Sequence, residues 1–449
     1  YRSNYYEYSL PLRITPAGRY SSENPTDRER VWPTENFIDL ALDQLIALKR
    51  RRNASIEQGL GATLYQPFST ASKEHPQHTL TILGSPSLSS IRTILIGVRN
   101  ASGVTKSVEV WVNELRVGDY HEEGGWAANA QAALQLSDLG SANIRAQYIS
   151  SGFGAIDQPL GARSLESRRS IHLSSGAELG RLLPEQAKVS IPLYYTLSDE
   201  VTTPEYNPTD EDVRLSEALS GLPRARRDSL LRRTITHRKT RALSLSGGSV
   251  GIQSREPMPY DPANLSLSFG HNTTEEHTPE IEYNRHLDWQ ASASYDYTPT
   301  WQPLRPFKSL RGQSPWATFL RDYGLSLWPS RLSLQSTMLR SYDEEQLRSI
   351  GTDDPSSRIP AIFAQQFLWS RKLSLSWAPT SSLSFTLSSG TDARIEEPHQ
   401  QVNRALNPDG WRIWQDSVRR SIREGGTPVH YGQNASLTYQ LPTALIAPL

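Results

Sequence analysis

The sequence predicts an all-β fold: a sector of a very large antiparallel transmembrane β-barrel, preceded by a small β-sandwich-like extramembrane module with one short helix. Three observations carry this. After Gly124-Gly125, apolar and polar residues alternate in segments of about 9–11 residues, the length a tilted strand needs to cross a bilayer. Amphipathic aromatics, 11 Trp and 19 Tyr against 9 Phe, gather near the ends of those segments. Short turns alternate with long polar loops, the asymmetry of an outer-membrane wall with its short turns periplasmic.

The 449 residues contain 47 Lys plus Arg and 47 Asp plus Glu, so a globally basic nucleic-acid binder is excluded. A mean hydropathy of −0.54 excludes a bundle of transmembrane helices. With no cysteine, the chain offers no disulfide framework, thiol nucleophile or thiolate zinc site. It opens on Tyr1 and contains only Met258 and Met338, so it reads as an internal piece of a longer polypeptide.

Residues 1–123 form the extramembrane module. Tyr8 to Ile14, Thr79 to Leu83, Ile91 to Arg99 and Val108 to Val117 are rich in β-branched residues and read as strands. Leu42, Leu45, Ile46 and Leu48 set a helical period that ends in the basic run Lys49 to Arg52, suited to the negative end of a helix dipole. Val110 and Val112 alternate with Trp111, which makes the valines core candidates.

Residues 124–449 form the barrel segment. Ala128 to Leu136 and Ala142 to Tyr148 alternate around an Asp138-Leu139-Gly140 turn. The same pattern recurs around Leu243, Leu265, Leu373, Leu383 and Leu437, with Ser, Gln, Asn and Arg on the intervening positions. The predicted interface aromatics are Trp126, Tyr148, Tyr194, Tyr195, Trp289, Tyr297, Trp328, Trp369, Trp377 and Tyr431. Turns at Asp138–Gly140, Arg181–Glu185 and Ala378–Ser381 are short, whereas the loops near 152–167, 198–240, 342–366 and 394–430 are long. Strand alternation works only if 299–331 stays in the periplasmic layer, with a short helix within Leu304 to Leu320. About eleven spans then result, an odd number that cannot ordinarily close, so the segment belongs to a larger wall.

Chemical motifs are sparse. Gly247-Gly248-Ser249-Val250-Gly251 matches G-x-S-x-G, but Ile252-Gln253-Ser254-Arg255-Glu256-Pro257 follows where a nucleophile elbow needs a helix. A glycine-kinked strand fits better. The ten His are scattered without an H-E-x-x-H spacing, and no cofactor or metal is expected. Asp210-Glu211-Asp212 departs from EF-hand spacing and reads as a solvated acidic turn. Arg224, Arg226, Arg227, Arg232 and Arg233 head a basic run without interleaved aromatics. It reads as a solvated loop or as a contact for lipopolysaccharide or an acidic partner, rather than a nucleic-acid site.

Specific segments resemble a known family. Val110-Trp111-Val112-Asn113-Glu114-Leu115-Arg116-Val117, followed by Gly124-Gly125-Trp126-Ala127-Ala128-Asn129-Ala130, resembles the SprA/Sov family, outer-membrane translocons of the type IX secretion system in Bacteroidota. Asn4 to Tyr8, Ile96 to Asn100, Gly152 to Ile156, Ile191 to Tyr195, Pro204 to Pro208 and Ala393 to Pro398 extend the resemblance. It implies a protein-conducting channel of secretion and gliding motility that exports folded proteins to the cell surface without enzymatic chemistry. The implied partners are the remainder of the same barrel polypeptide, a smaller lipid-facing barrel shuttle protein, a periplasmic plug protein and secreted cargo. Two other readings stand beside it: a smaller closed porin-like barrel for solutes, and a soluble surface carbohydrate-binding β-protein using Trp32 and Trp111.

Overall fold

In a computed structural model of the chain, the residues described are 3–118, 124–159, 162–312, 314–349, 358–402, 404 and 407–440. They form two compact units, residues 1–123 with 204–230, and residues 124–203 with 231–449. Parts of the predicted loops 152–167, 342–366 and 394–430 lie outside the described residues.

The first unit begins with β1 (Tyr5–Ser9), α1 (Pro25–Val31), α2 (Leu42–Glu57), β2 (Phe68–Ala71) and β3 (Thr79–Leu83). The three strands form an antiparallel sheet in the order β1-β3-β2. Pro11 cannot donate to a ladder, and β1 ends just before it rather than continuing to Ile14. Asn24 caps α1 by accepting from the Thr26 amide, with Pro25 in the first turn. Alternation along β3 buries Leu80 and Ile82 against Leu45 and Leu48 of α2.

The chain then enters a large sheet through β4 (Ala127–Leu136), β5 (Gly140–Ile149), β6 (Glu166–Glu178), β7 (Val189–Ser190) and β8 (Pro192–Pro204). It leaves the sheet for β9 (Tyr206–Asn207), β10 (Asp210–Arg214), α3 (Leu215–Leu219) and α4 (Arg224–Thr234). It returns with β11 (Thr236–Val250), β12 (Leu265–His277), β13 (Ile281–Tyr297), α5 (Pro315–Asp322), β14 (Arg331–Leu347), β15 (Ile362–Thr380), β16 (Leu383–Arg394), α6 (Pro408–Glu424) and β17 (Thr427–Tyr439). The sheet order is β17-β16-β15-β14-β13-β12-β11-β8-β6-β5-β4, with β7 beside β11. The described chain is therefore mostly β, built around one large antiparallel sheet with few helices.

Several expectations are corrected. The first unit is a three-stranded sheet with two α-helices before residue 60, not a sandwich with one helix. Ile91 to Arg99 and Val108 to Val117 join no ladder. A strand needs a neighbour to pair its amides and carbonyls, and among the described residues none reaches them. Val110 and Val112 are exposed rather than core, as is Trp111.

The helix expected to end at Arg52 continues to Glu57, so the basic run sits inside α2 instead of capping it. The 198–240 segment is not one loop: β8 continues to Pro204 and β11 starts at Thr236. Opposite charges paired across the ladders, Glu200 with Arg238 and Arg238 with Glu276, hold these polar ends in strand form. Similarly, 394–430 contains α6, capped by Asn407 accepting from Gly410 and closed by Gly425 at φ 87°. Between β13 and β14 lie α5 and an isolated Leu304–Leu325 bridge; Phe319 to Trp328 includes no ladder strand.

Candidate functional site

Directly paired residues of an antiparallel ladder point to the same side, so the register defines two faces of the large sheet. One face is apolar toward the short-turn end. Tyr297, Leu332, Leu375, Leu387 and Ala435 pair in sequence across β13 to β17. Leu265, Tyr295, Leu334 and Leu373 form the next row. The other face is polar and rich in hydroxyls: Ser268, Ser292, Thr337 and Ser370 form one row. Its side chains bond laterally, Ser266 Oγ to Ser294 Oγ at 2.7 Å and Thr386 Oγ1 to Ser436 Oγ at 3.1 Å.

Six aromatics on the apolar face make three pairs, each eight residues apart on one strand: Trp289/Tyr297, Trp369/Trp377 and Tyr431/Tyr439. The sequence reading missed Tyr439, which the shared spacing now identifies. In register, Trp289 lies level with Phe367, two residues before Trp369, while Tyr431 lies level with Arg371, two residues after it. Tyr297 likewise lies level with Leu375, two residues before Trp377. Both aromatic rows thus slant across the sheet in the same direction.

The other predicted aromatics are distributed differently. Tyr148 on β5 meets Trp126, just ahead of β4, at a ring separation of 4.7 Å. Tyr195 shares the apolar face with Leu243, whereas its neighbour Tyr194 points to the polar face opposite Ser244. Trp328 lies outside the strands, edge-to-face with Trp301. Trp377 donates its indole N–H to the Ser326 carbonyl at 2.9 Å, holding the β13–β14 connection at the short-turn end. Tyr297 is buried rather than open.

Beyond Trp289 and Trp369, toward the long-loop end, the same face is covered by the β16–β17 connection. Phe367, Ile395 and Val418 form a buried cluster, with Trp289, Trp369, Trp414 and Ile422 packed around it. Trp414, Val418 and Ile422 recur at helical spacing and give α6 its inward stripe. Arg340 Nε donates to Glu397 Oε1 at 2.6 Å, both side chains nearly inaccessible. The Trp414 indole donates to the same oxygen at 2.5 Å, and its ring lies 4.8 Å from the Arg340 guanidinium carbon.

The first unit holds a second polar centre, which corrects the reading of Asp210 to Asp212 as a solvated turn. Asp212 is buried on β10. Lys49 Nζ lies 2.9 Å from Asp212 Oδ2 and 2.6 Å from Asp210 Oδ1, and donates to the Pro86 carbonyl at 2.9 Å. The Leu88 amide and Tyr6 hydroxyl also donate to Asp212, at 2.7 and 3.0 Å. Burial opposes the Asp212 charge, but the Lys49 ammonium and these donors hold its carboxyl below the usual range. Burial, with Asp212 alongside, pushes the Tyr6 phenol up. Arg52, also buried, donates to the Gly84 carbonyl. Leu45, Leu48, Lys49 and Arg52 lie at i, i+3, i+4 and i+7, so the stripe that buries the leucines carries the two cations inward too.

Arg224, Arg226, Arg227, Arg232 and Arg233 stand on α4, exposed on a helix rather than an irregular loop. Ser249 lies in β11 opposite Ser266, after a register shift between Leu245 and Gly248 and a φ of +70° at Gly247. Among the described residues, no group of three or more His, Asp or Glu is placed to hold a metal ion. Among the described residues, no helix is long and apolar enough to cross a membrane.

No curated protein matches the chain. Residues 1–219 match the family SprA_N, described as motility related/secretion protein. The matched region includes both Lys49 and Asp212 and runs on through β4 to β8. The match over residues 1–219 supports the SprA/Sov family resemblance read from the sequence, in keeping with a motility-related and secretion protein.

Proposed function

We propose that the large sheet is a wall sector of a protein-conducting outer-membrane channel, exporting folded proteins to the cell surface without enzymatic chemistry. Its apolar face meets lipid and its hydroxyl face lines the conduit. The observation that carries this is the set of slanted aromatic pairs. Eight residues at about 3.4 Å span about 27 Å along a strand. A drift of two residues over two strands about 4.8 Å apart corresponds to a strand tilt of about 35°. That tilt lies within the range of membrane barrels, and it reduces the distance between aromatic rows to about 22 Å, close to their apolar band.

The partners proposed with this reading are the remainder of the same barrel polypeptide, a smaller lipid-facing barrel shuttle protein, a periplasmic plug and secreted cargo. The arginines of α4 are proposed to contact lipopolysaccharide or an acidic partner protein.

The chain's lack of cysteine permits a direct test by single-cysteine labelling in the outer membrane. Ser374→Cys and Leu375→Cys are neighbours on opposite faces of β15. The reading expects a charged, water-soluble maleimide to modify the first and not the second, and a lipid-borne quencher to reach a fluorophore only at the second. Equal labelling of both positions overturns it.

A further inference from the structure

We propose that the conduit lining formed by β12 to β17 is selectively uncharged, so that it passes folded polypeptide cargo of either net charge. This rests on the wall reading above and adds the class of cargo. Between the aromatic rows, β12 to β17 place 25 residues on the polar face; 14 are Ser or Thr and four are charged. Those four balance. Asp296 is paired with Arg331 at 3.0 Å, Asp392 accepts from Ser370 at 2.5 Å, and Lys372 supplies the second cation.

The chain does not lack charge, since 21% of its residues are Asp, Glu, Lys or Arg. On the same face of the same strands, charges return beyond the aromatic row toward the long-loop end. Asp288, Asp343, Glu345 and Glu276 lie there, with His286 between Asp343 and Asp288. Neutrality is therefore confined to the stretch between the aromatic rows.

Pores that select small ions place rings of one charge at the lining. A wall of small neutral hydroxyls creates no comparable field and exchanges hydrogen bonds with water at little net cost. Short Ser, Thr and Gly side chains also leave the bore open. A hydrated protein surface of either sign meets the same wall.

The test uses the full-length protein in its native membrane and one folded cargo in two versions, with net charges of about −8 and about +8. Wild-type export rates should agree within about twofold, because the lining exerts no steering field. Placing aspartate at Ser268, Ser292, Thr337 and Ser370 should slow the acidic cargo about tenfold relative to the basic one. Asparagine at the same positions should slow neither. A wild-type preference of tenfold or more for one sign overturns the proposal without requiring any variant to fold. If that preference appears while Ser374→Cys labels from water and Leu375→Cys does not, the charge inference falls and the wall reading survives. If the two cysteines label alike, the wall reading itself falls.

Discussion

Replacing Lys49 with methionine removes the cation shared by Asp210 and Asp212 while keeping the length of the side chain. Asp212 is fully buried at its side chain and then faces that environment with three donors, the Leu88 amide and the Tyr6 and Ser87 hydroxyls. Orphaning a buried charge costs about 3–5 kcal/mol. The surviving donors place the expected loss near about 3 kcal/mol, a shift of roughly a hundredfold in the opening equilibrium. Hydrogen exchange on the intact chain measures this locally: amides of α2 and β3 should lose protection, while those of β13 to β15 keep theirs. Adding Asp212→Leu should restore most of the loss, because an apolar pair of similar volume replaces a buried ion pair at little cost.

The pH dependence follows from the directions of the shifts. Asp212 has a depressed folded pKa, so its contribution is present above about 4 and is lost as pH falls through the folded value. Tyr6 has a raised pKa, so its contribution is present below about 10 and fades at higher pH. Unchanged protection in α2 and β3 of Lys49→Met would refute the reasoning.

Three other perturbations have defined outcomes. Leu375→Arg on the apolar band should cost about 2–4 kcal/mol and lower the assembled, heat-modifiable fraction on gels, whereas Ser374→Arg on the polar face should assemble normally. Glu397→Gln leaves Arg340 buried without its counter-charge; α6 should loosen, seen as faster tryptic cleavage at Arg419 and Arg420 and a red-shifted Trp414 emission. Gly84 sits at φ +72°, and a Cβ there would fall 1.9 Å from the Ser3 carbonyl oxygen and Asn4 Oδ1. Gly84→Ala should therefore lower the unfolding temperature of the first unit, at a cost of about 1–3 kcal/mol from the backbone alone.

The strands of the large sheet were legible because their signal is local: a two-residue period states both the element and its faces. Ser266, Ser268, Leu265 and Leu267 suffice to identify β12. Its charged end was not legible, because Glu275 and Glu276 look like loop until Lys239 and Arg238 stand opposite them. The first unit shows the same limit more strongly. Asp212 and Lys49 are 163 residues apart, and a carboxylate that far from its cation resembles any solvated acid. Lys49 and Arg52 did carry a local signal, since both continue the leucine stripe of α2, but the four consecutive cations pointed to a helix end. Ile91 to Arg99 failed in the opposite direction: β-branched composition marks a segment that can be a strand, while a ladder also requires a neighbour.

Strand length explains why the β16–β17 connection contains a helix. β13, β14 and β15 have 17, 17 and 19 residues, whereas each aromatic pair spans only eight. The strands therefore continue well past the aromatic row at the long-loop end. In the proposed membrane setting this extension leaves the lipid, and Phe367 on its outward face would meet water. Polar outward residues alone would solve this, but then Arg340, Tyr342 and Glu344 would not need covering. The sequence instead alternates apolar and charged residues there, and the connection supplies Ile395, Glu397, Trp414 and Val418 to match both kinds. An isolated patch of this composition is costly on either side: its apolar rings favour burial and its buried charges require partners. The helix is thus the complement that makes strands of this length compatible with water, and shortening β13 to β15 would remove the need for it.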